Sequence, residues 1–411
     1  MTTSQHSASG NAAQQIVETF AAVAGKLPEG KSARKAAIKA FEINGLPSRR
    51  LENWHYTDLK TLLANTAPYD GGTAGAARAP LLPESLVLSL AEPTKTAKGI
   101  MPLAEALAKG ETLPQEFAAD DAIGQINTAF AKDGWKMTVP AKAKDVMLEL
   151  QNIRNGGQAH MRFPVTIGAG ANVTVIERQG SDSGASFVSS LTDLEVGDNA
   201  QVTWVIVRQR GDDCVELNRL QARLGKNSRF TLYIINAGVR LLRQEVKVDL
   251  LGSGADFQLR GVNLLAGKTH TDISMEVRHL VEGTTSTEIV RNVVMDEARG
   301  VFQGMIRVAQ IAQKTDARMA CNSLILSDKA EFDAKPELEI FADDVACGHG
   351  ATVTEIDRTH LFYLMARGIP EKQARALLIK AFVDELVEEL ENETLETALK
   401  QVIDQWLETH E

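Results

Sequence analysis

Four short phrases decide how this chain is read: IGAGANV (167–173), VGDNAQV (196–202), LGKNSRF (224–230) and LGSGADF (251–257). Each runs apolar residue, glycine, two variable positions, a small residue, one variable position, then Val or Phe, and the glycines step by 29, 28 and 27 residues. Weaker echoes lie at VEGTTST (281–287) and, 45 residues further on, at LSDKAEF (326–332). Self-similarity at a fixed period of about 20–50 residues marks stacked architecture, because one repeat cannot bury its apolar face alone and stacked neighbours make one continuous core. Each repeat is expected to form one coil. Its glycine supplies the φ > 0 geometry of a sharp corner, the small Ala, Ser or Thr fits inside, and the alternating stretch that follows forms one strand. A β-sandwich with regularly spaced hairpins is the competing architecture. A phrase recurring with the same turn grammar is harder to obtain from Greek-key loops of varied length. The expected fold is mainly β, a right-handed parallel β-helix (β-solenoid) over 146–357, where period-two alternation sets in at Val146.

Outward from that core the period changes. Residues 11–25 and 32–44 place Ile16, Phe20, Val23 and then Ala37, Ile38, Phe41 at helical spacings, and Gly45-Leu46-Pro47 stops the second helix. The aromatic segment SRRLENWHYTDLK (48–60) reads as a cap packed on the next domain. The Gly/Ala/Thr-rich stretch 67–79 reads as a mobile loop. Residues 80–135 mix strand-like LVLSL (86–90) with helix-like 101–110 and 120–134. After Asp357 helices are expected at 360–368, 370–390 and 394–408, with Pro370 at a first-turn position. The implied organisation is an N-terminal α-rich domain (1–145), the β-helix core (146–357) and a C-terminal helical domain (358–411).

The formal net charge of −10 repels a phosphate backbone, and no aromatic-studded basic stripe overrides it, which argues against a nucleic-acid partner. The stretch Asp384 to Glu411 holds ten acidic residues and one lysine, a solvated helical face or a docking surface for a basic partner. Three scattered cysteines cannot form a disulfide framework and fit a reducing cytoplasm. The polar N-terminus lacks a secretion pattern, and no run of about 18 uncharged apolar residues offers a membrane span.

Gly267-Lys268-Thr269 imitates the end of a phosphate loop, but Val262 stands where the first glycine is required, and the following THTDISMEV alternates as a strand. No nucleophile elbow, H-E-x-x-H, C-x-x-C or G-x-G-x-x-G occurs. One enzymatic reading survives that absence, a β-helix enzyme acting on acidic polysaccharide with Asp, Arg and Lys drawn from separate coils. The one compact set of soft ligands is Cys347-Gly348-His349, with Cys321 some 26 residues earlier, close to one coil. Two residues apart on an extended segment, Cys347 and His349 share a face, and a one-coil offset stacks Cys321 beneath or beside them. Such a trio suits zinc, ferrous iron or an iron-sulfur species. The alternative is a buried cysteine beside a hydrogen-bonded histidine.

The stretch CNSLILSDKAEFDAKPELEIFADDVACGHGATVTEIDRTHLFYLMARGI (321–369) resembles the C-terminal signature of the SufB/SufD family of iron-sulfur cluster assembly proteins. KPELEIFADDV (335–345), C-x-HGAT (347–352) and LFYL-x-x-RGI (361–369) are similar to SufD-like members in particular, and ENWHYTDL (52–59) is similar to the family's N-terminal motif. The resemblance implies a noncatalytic scaffold that pairs through its β-helix with a SufB-like subunit and binds a SufC-like ATPase through its C-terminal helices. ATP hydrolysis in that partner is expected to rearrange the core pair and expose a site where a nascent Fe-S cluster is built. By the same resemblance His349 is a ligand on this side of the interface and Cys347 assists it. Cys321 sits in ACNSLILSD, a phrase similar to one in SufB rather than SufD, and is a third candidate. Leu361, Phe362, Tyr363, Arg367 and Gly368 either pack within the helical domain or contact the ATPase. The resemblance also allows a flavin on the complex and a homodimer of the free chain.

Overall fold

A computed structural model describes residues 12–181 and 183–410; the polar stretch through Asn11, read above as free of a secretion signal, lies outside the described residues. Two sheets, of ten and nine strands, enclose one apolar interior. Pairing skips a strand each time. Arg229–Ala237 pairs in parallel with Gln201–Gln209 before it and Asp256–Leu265 after it, whereas Cys214–Leu224 and Leu241–Leu250 pair with each other in the second sheet. The result is a parallel β-solenoid of about seven turns with helices at both ends. Each coil carries two strands where one was expected, and the echo at 326–332 falls at the second corner, between Asp316–Ile325 and Glu331–Ile340, rather than at the corner that the four phrases form.

The repeated phrases form the corners, but by a different division of labour from the one expected. Gly168, Gly197, Gly225 and Gly252 do not take positive φ; that conformation falls two residues on, at Gly170 (φ +68°), Asn199 (+56°), Asn227 (+51°) and Gly254 (+77°), residues that tolerate the left-handed region. The phrase glycine is needed for space. A Cβ on Gly168 or Gly252 would collide with the backbone of Ala141 or Lys226 on the preceding coil. The small residue next in the phrase is buried as expected at Ala171, Ala200, Ser228 and Ala255. The register then holds, and Val173, Val202, Phe230 and Phe257 form one inward column, with the two rings 5.5 Å apart.

A second inward column is polar. Arg208 Nη1 donates to Asn236 Oδ1 (3.0 Å), Asn236 Nδ2 to Asn263 Oδ1 (2.6 Å), Asn263 Nδ2 to Asn292 Oδ1 (2.7 Å) and Asn292 Nδ2 to Ser323 Oγ (3.0 Å). Each amide both gives and receives, so the stack satisfies polar groups that would otherwise be costly to bury.

The first end of the solenoid is covered. Trp135–Val139 pairs with Gly157–Ile167 and, antiparallel, with Ile100–Pro102, so the stack begins one strand ahead of Val146. The helix of the 120–134 stretch runs Ala122–Phe130 and is wholly buried. The 67–79 stretch is docked rather than loose: Thr73–Ala74 pairs with Val146–Asn155, and a Cβ on Gly72 would collide with Gly156. Segment 48–60 packs on the outer face of the nine-stranded sheet, as expected. Arg243 stacks over the Trp54 ring at 4.5 Å and donates to the Asn53 carbonyl at 2.7 Å. Three C-terminal helices, Arg358–Ala366, Glu371–Val387 and Glu393–His410, follow the last strand. The second of these lies on the outer face of the ten-stranded sheet and is tied there by Arg291–Glu385 and, two residues past its end, by Arg260–Glu389, both at 2.6 Å.

Candidate functional site

The last coil consists of Glu331–Ile340 and Ala346–Thr354, and each is the terminal strand of its sheet with one neighbour only. Alternation places Cys347, His349, Ala351 and Val353 on the inner face, in register above Ala317, Met319, Cys321 and Ser323. Those positions are core elsewhere in the solenoid. Here no further coil covers them, so His349, Ala351 and Val353 are exposed, and only Cys347 still packs partly on the core. Gly348 and Gly350 flank the histidine, and a Cβ built on either meets nothing within 4 Å. His349 therefore projects from a bare backbone edge that another chain can approach closely. Arg318, Met319, Ala346, Cys347, Gly348 and His349 line a shallow depression at this end.

The three sequence-derived candidates separate. The register step into the last strand is 30 residues, pairing Ala317 with Cys347, so Cys321 lies under Ala351 and not under Cys347 as the 26-residue spacing suggested. Cys321 is sealed in the core, and burial pushes its thiol up to about 12 despite hydrogen bonds from Asn292 and Ser323. Such a thiol is a packing group, since the thiolate is the metal ligand. Burial also raises the Cys347 thiol, opposed by the Ala317 backbone and reinforced by the Asp316 and Glu288 carboxylates. Among the described residues no three His, Cys, Asp or Glu side chains converge on one metal position. Cys347 and His349 thus present one sulfur and one imidazole, a borderline-soft pair, on one face of the terminal strand.

The same inner face carries a residue that motif reading passed over. Glu288 lies in the column Leu259, Glu288, Met319, His349, fully buried two coils below the histidine. Its signal was present in the echo at 281–287: continuing the alternation through Ser286-x-Glu288-x-Val290 puts a carboxyl at an inward position.

Three residues after the last strand, Asp357 caps the helix Arg358–Ala366 by accepting from the Thr359 N–H at 2.7 Å. That helix buries no residue. Leu361 packs partly on the neighbouring helices, whereas Phe362 is 72% exposed, Tyr363 56% and Met365 41%. Arg367 lies over the Tyr363 ring at 5.1 Å, and Gly368 (φ +86°) closes the helix. Packing within the domain therefore accounts for Leu361 and not for the two exposed rings. No helix among the described residues is long and apolar enough to cross a membrane.

Residues 150–382 match the family described as SUF system FeS cluster assembly, SufBD core domain. The chain is 29% identical over 373 residues to the iron-sulfur cluster assembly protein SufD of Escherichia coli K12, covering 85% of this chain and 87% of that one. It is 28% identical over 399 residues to an iron-sulfur cluster assembly SufBD family protein of Synechocystis, covering 87% of each. Against SufD of Bacillus subtilis it is 31% identical over 217 residues, 52% of this chain and 49% of that one. A matched core covering more than half the chain, on a solenoid whose open end carries the CGHGAT strand, makes this chain a SufD-like member of the SufB/SufD family, with a role in iron-sulfur cluster assembly.

Proposed function

We propose that the chain is a noncatalytic scaffold subunit of the SUF complex. Its open solenoid end pairs with a SufB-like subunit, its C-terminal helices receive a SufC-like ATPase, and a nascent Fe-S cluster is assembled at the first junction with His349, assisted by Cys347, as this chain's ligands. One observation carries the reading: the two soft donors stand on an uncapped terminal strand whose partners are neither in the same coil nor in the coil below. A naked strand edge is a template for pairing with another chain. Without its partner the same edge is free to take a second copy and form a homodimer.

Phe362 and Tyr363 form the exposed patch that suits the ATPase, with Met365 beside them and Arg367 and Gly368 shaping the helix end. Residues 355–357 alone join this helix to the ligand-bearing strand, so a partner that shifts the helix acts on the strand at close range. Three free cysteines fit a reducing cytoplasmic setting. Cys321 has no part in ligation in this reading, being buried below the wrong residue.

Co-expression with SufB-like and SufC-like subunits and anaerobic purification test the proposal. His349→Ala is expected to leave the complex assembled while iron and acid-labile sulfide fall to background. Normal iron and sulfide in that variant would remove His349 from the site.

A further inference from the structure

Buried carboxyls in this protein are satisfied almost everywhere. Glu216 is gripped by Arg208 (2.9 Å) and Arg210, and Glu245 by Arg219 (2.8 Å). Glu288 is different. It is fully buried inside the solenoid, and among the described residues it is the one buried carboxyl whose two oxygens both lack a hydrogen bond of their own. Ser286, the side chain that acts on it most, divides its hydroxyl between this carboxyl and His279 Nε2, which lies 3.1 Å away. An unsatisfied buried acid costs stability and calls for a structural or functional reason.

Its position supplies one. Glu288 and His349 occupy one inward column with only Met319 between them, two strand spacings or about 10 Å of backbone. The Met319 sulfur reaches across the interior to the opposite sheet, where a Cβ on Gly304 would collide with it. Methionine is unbranched and easily rearranged, and it also lines the surface depression beside Cys347 and His349. In the adjacent column Ala317 fills little space beneath Cys347, and the Glu288 carboxylate is near enough to act electrostatically on that thiol. The floor of the open end is thus one flexible side chain thick, with an unpaired carboxyl under it.

We infer that Glu288 is a third donor of a cation site contained in this chain. With Met319 moved aside, its carboxylate meets from within the solenoid a ferrous ion held by Cys347 and His349, so the chain binds such an ion without a second subunit. The inference rests on the two ligands proposed above. It adds an oxygen donor that explains why the acid is left unpaired, and it assigns the first binding of iron to this subunit.

Cobalt(II) alone, titrated anaerobically into the full-length chain, is the probe, because thiolate ligation gives a near-ultraviolet charge-transfer band and the visible bands report the ligand set. Wild type is expected to bind at or below about 1 mM. Glu288→Gln, nearly the same shape, is expected to weaken binding about tenfold or more and to change the visible bands, with Glu288→Asp between the two. A structural role for the acid would not alter those bands. Wild-type affinity and spectrum in Glu288→Gln, together with weakened binding in Cys347→Ser and His349→Ala, would overturn the inference and leave the two ligands standing. No cobalt uptake by wild type at about 1 mM would also overturn it, leaving a site completed only by the partner. Binding indifferent to Cys347→Ser and His349→Ala would sink the ligand reading itself.

Discussion

The two ends of the solenoid are built from the same alternating strands and finished in opposite ways. At the first end the inner face is roofed. Trp135 lies nearly parallel to Phe163 with centroids 6.4 Å apart, its indole N–H donates to the Lys95 carbonyl at 3.0 Å, and Leu88, Ile100 and Met137 are buried in the same apolar layer. At the far end the equivalent face shows Cys347, His349, Ala351 and Val353 with no further strand of the described residues above them. Stacked repeats need terminal units that close the core against water. A chain that closes one end with tryptophan and aliphatic side chains and leaves the other with a thiol, an imidazole and bare glycines has kept the second end for another molecule.

The contrast breaks most sharply at the roof. Trp135→Ala removes a fully buried ring and strands the Lys95 carbonyl, and is expected to cost about 3–5 kcal/mol in urea unfolding. A loss under about 1 kcal/mol would mean that the N-terminal elements do not act as a cap. Next comes the polar ladder that runs through the coils between the two ends. Asn263→Leu leaves Asn236 Nδ2 and Asn292 Oδ1 without their partners, at roughly 1–3 kcal/mol for each orphaned group, measured the same way.

Below these lies a pH-dependent difference near the open end. Burial, against a weaker pull from Ser286 and Arg260, holds the Glu288 carboxyl up at about 8. A folded-state value above the unfolded one means the neutral acid is favoured in the native protein. Its contribution is complete below the ordinary carboxyl range and is lost as pH rises toward 8. Glu288→Gln has no such titration, so its unfolding midpoint is expected to gain on wild type steadily from about pH 5 to pH 8. Parallel profiles would show that the carboxyl is not held neutral there.

How much of this was legible follows the same physics. The stack could be read because four successive coils turn a corner too tight for a Cβ, which forces Gly168, Gly197, Gly225 and Gly252 into a visible period. The second strand of each coil left no such mark, since its corner varies in length and residue from coil to coil. The short elements between 80 and 135 were unreadable because they form by docking: Ile100–Pro102 is a strand only against Trp135–Val139. At the site, alternation correctly set Cys347 and His349 on one face. The 26-residue spacing misplaced Cys321, because the last coil advances by 30 residues, a length that the earlier steps of 27 to 29 could not foretell. Nothing local in CGHGAT says that the stack ends there. Exposure of His349 is a property of the absent next coil rather than of its own segment.

The smallest expected effect on stability falls on Val353, and it is the most discriminating. Its side chain points along the inner face, yet half its surface is open because the stack stops. On a covered coil an arginine at such a position would bury an unpaired charge, at a cost of several kcal/mol. At the open end Val353→Arg is expected to change the unfolding free energy of the isolated chain by no more than about 0.5 kcal/mol. If the edge is where a SufB-like subunit docks, that same arginine becomes a buried unpaired charge in the assembled pair, and co-purification of the subunit is expected to be lost. Intact pairing with an unchanged fold would move the interface elsewhere and leave His349 an exposed histidine with no second wall to its site.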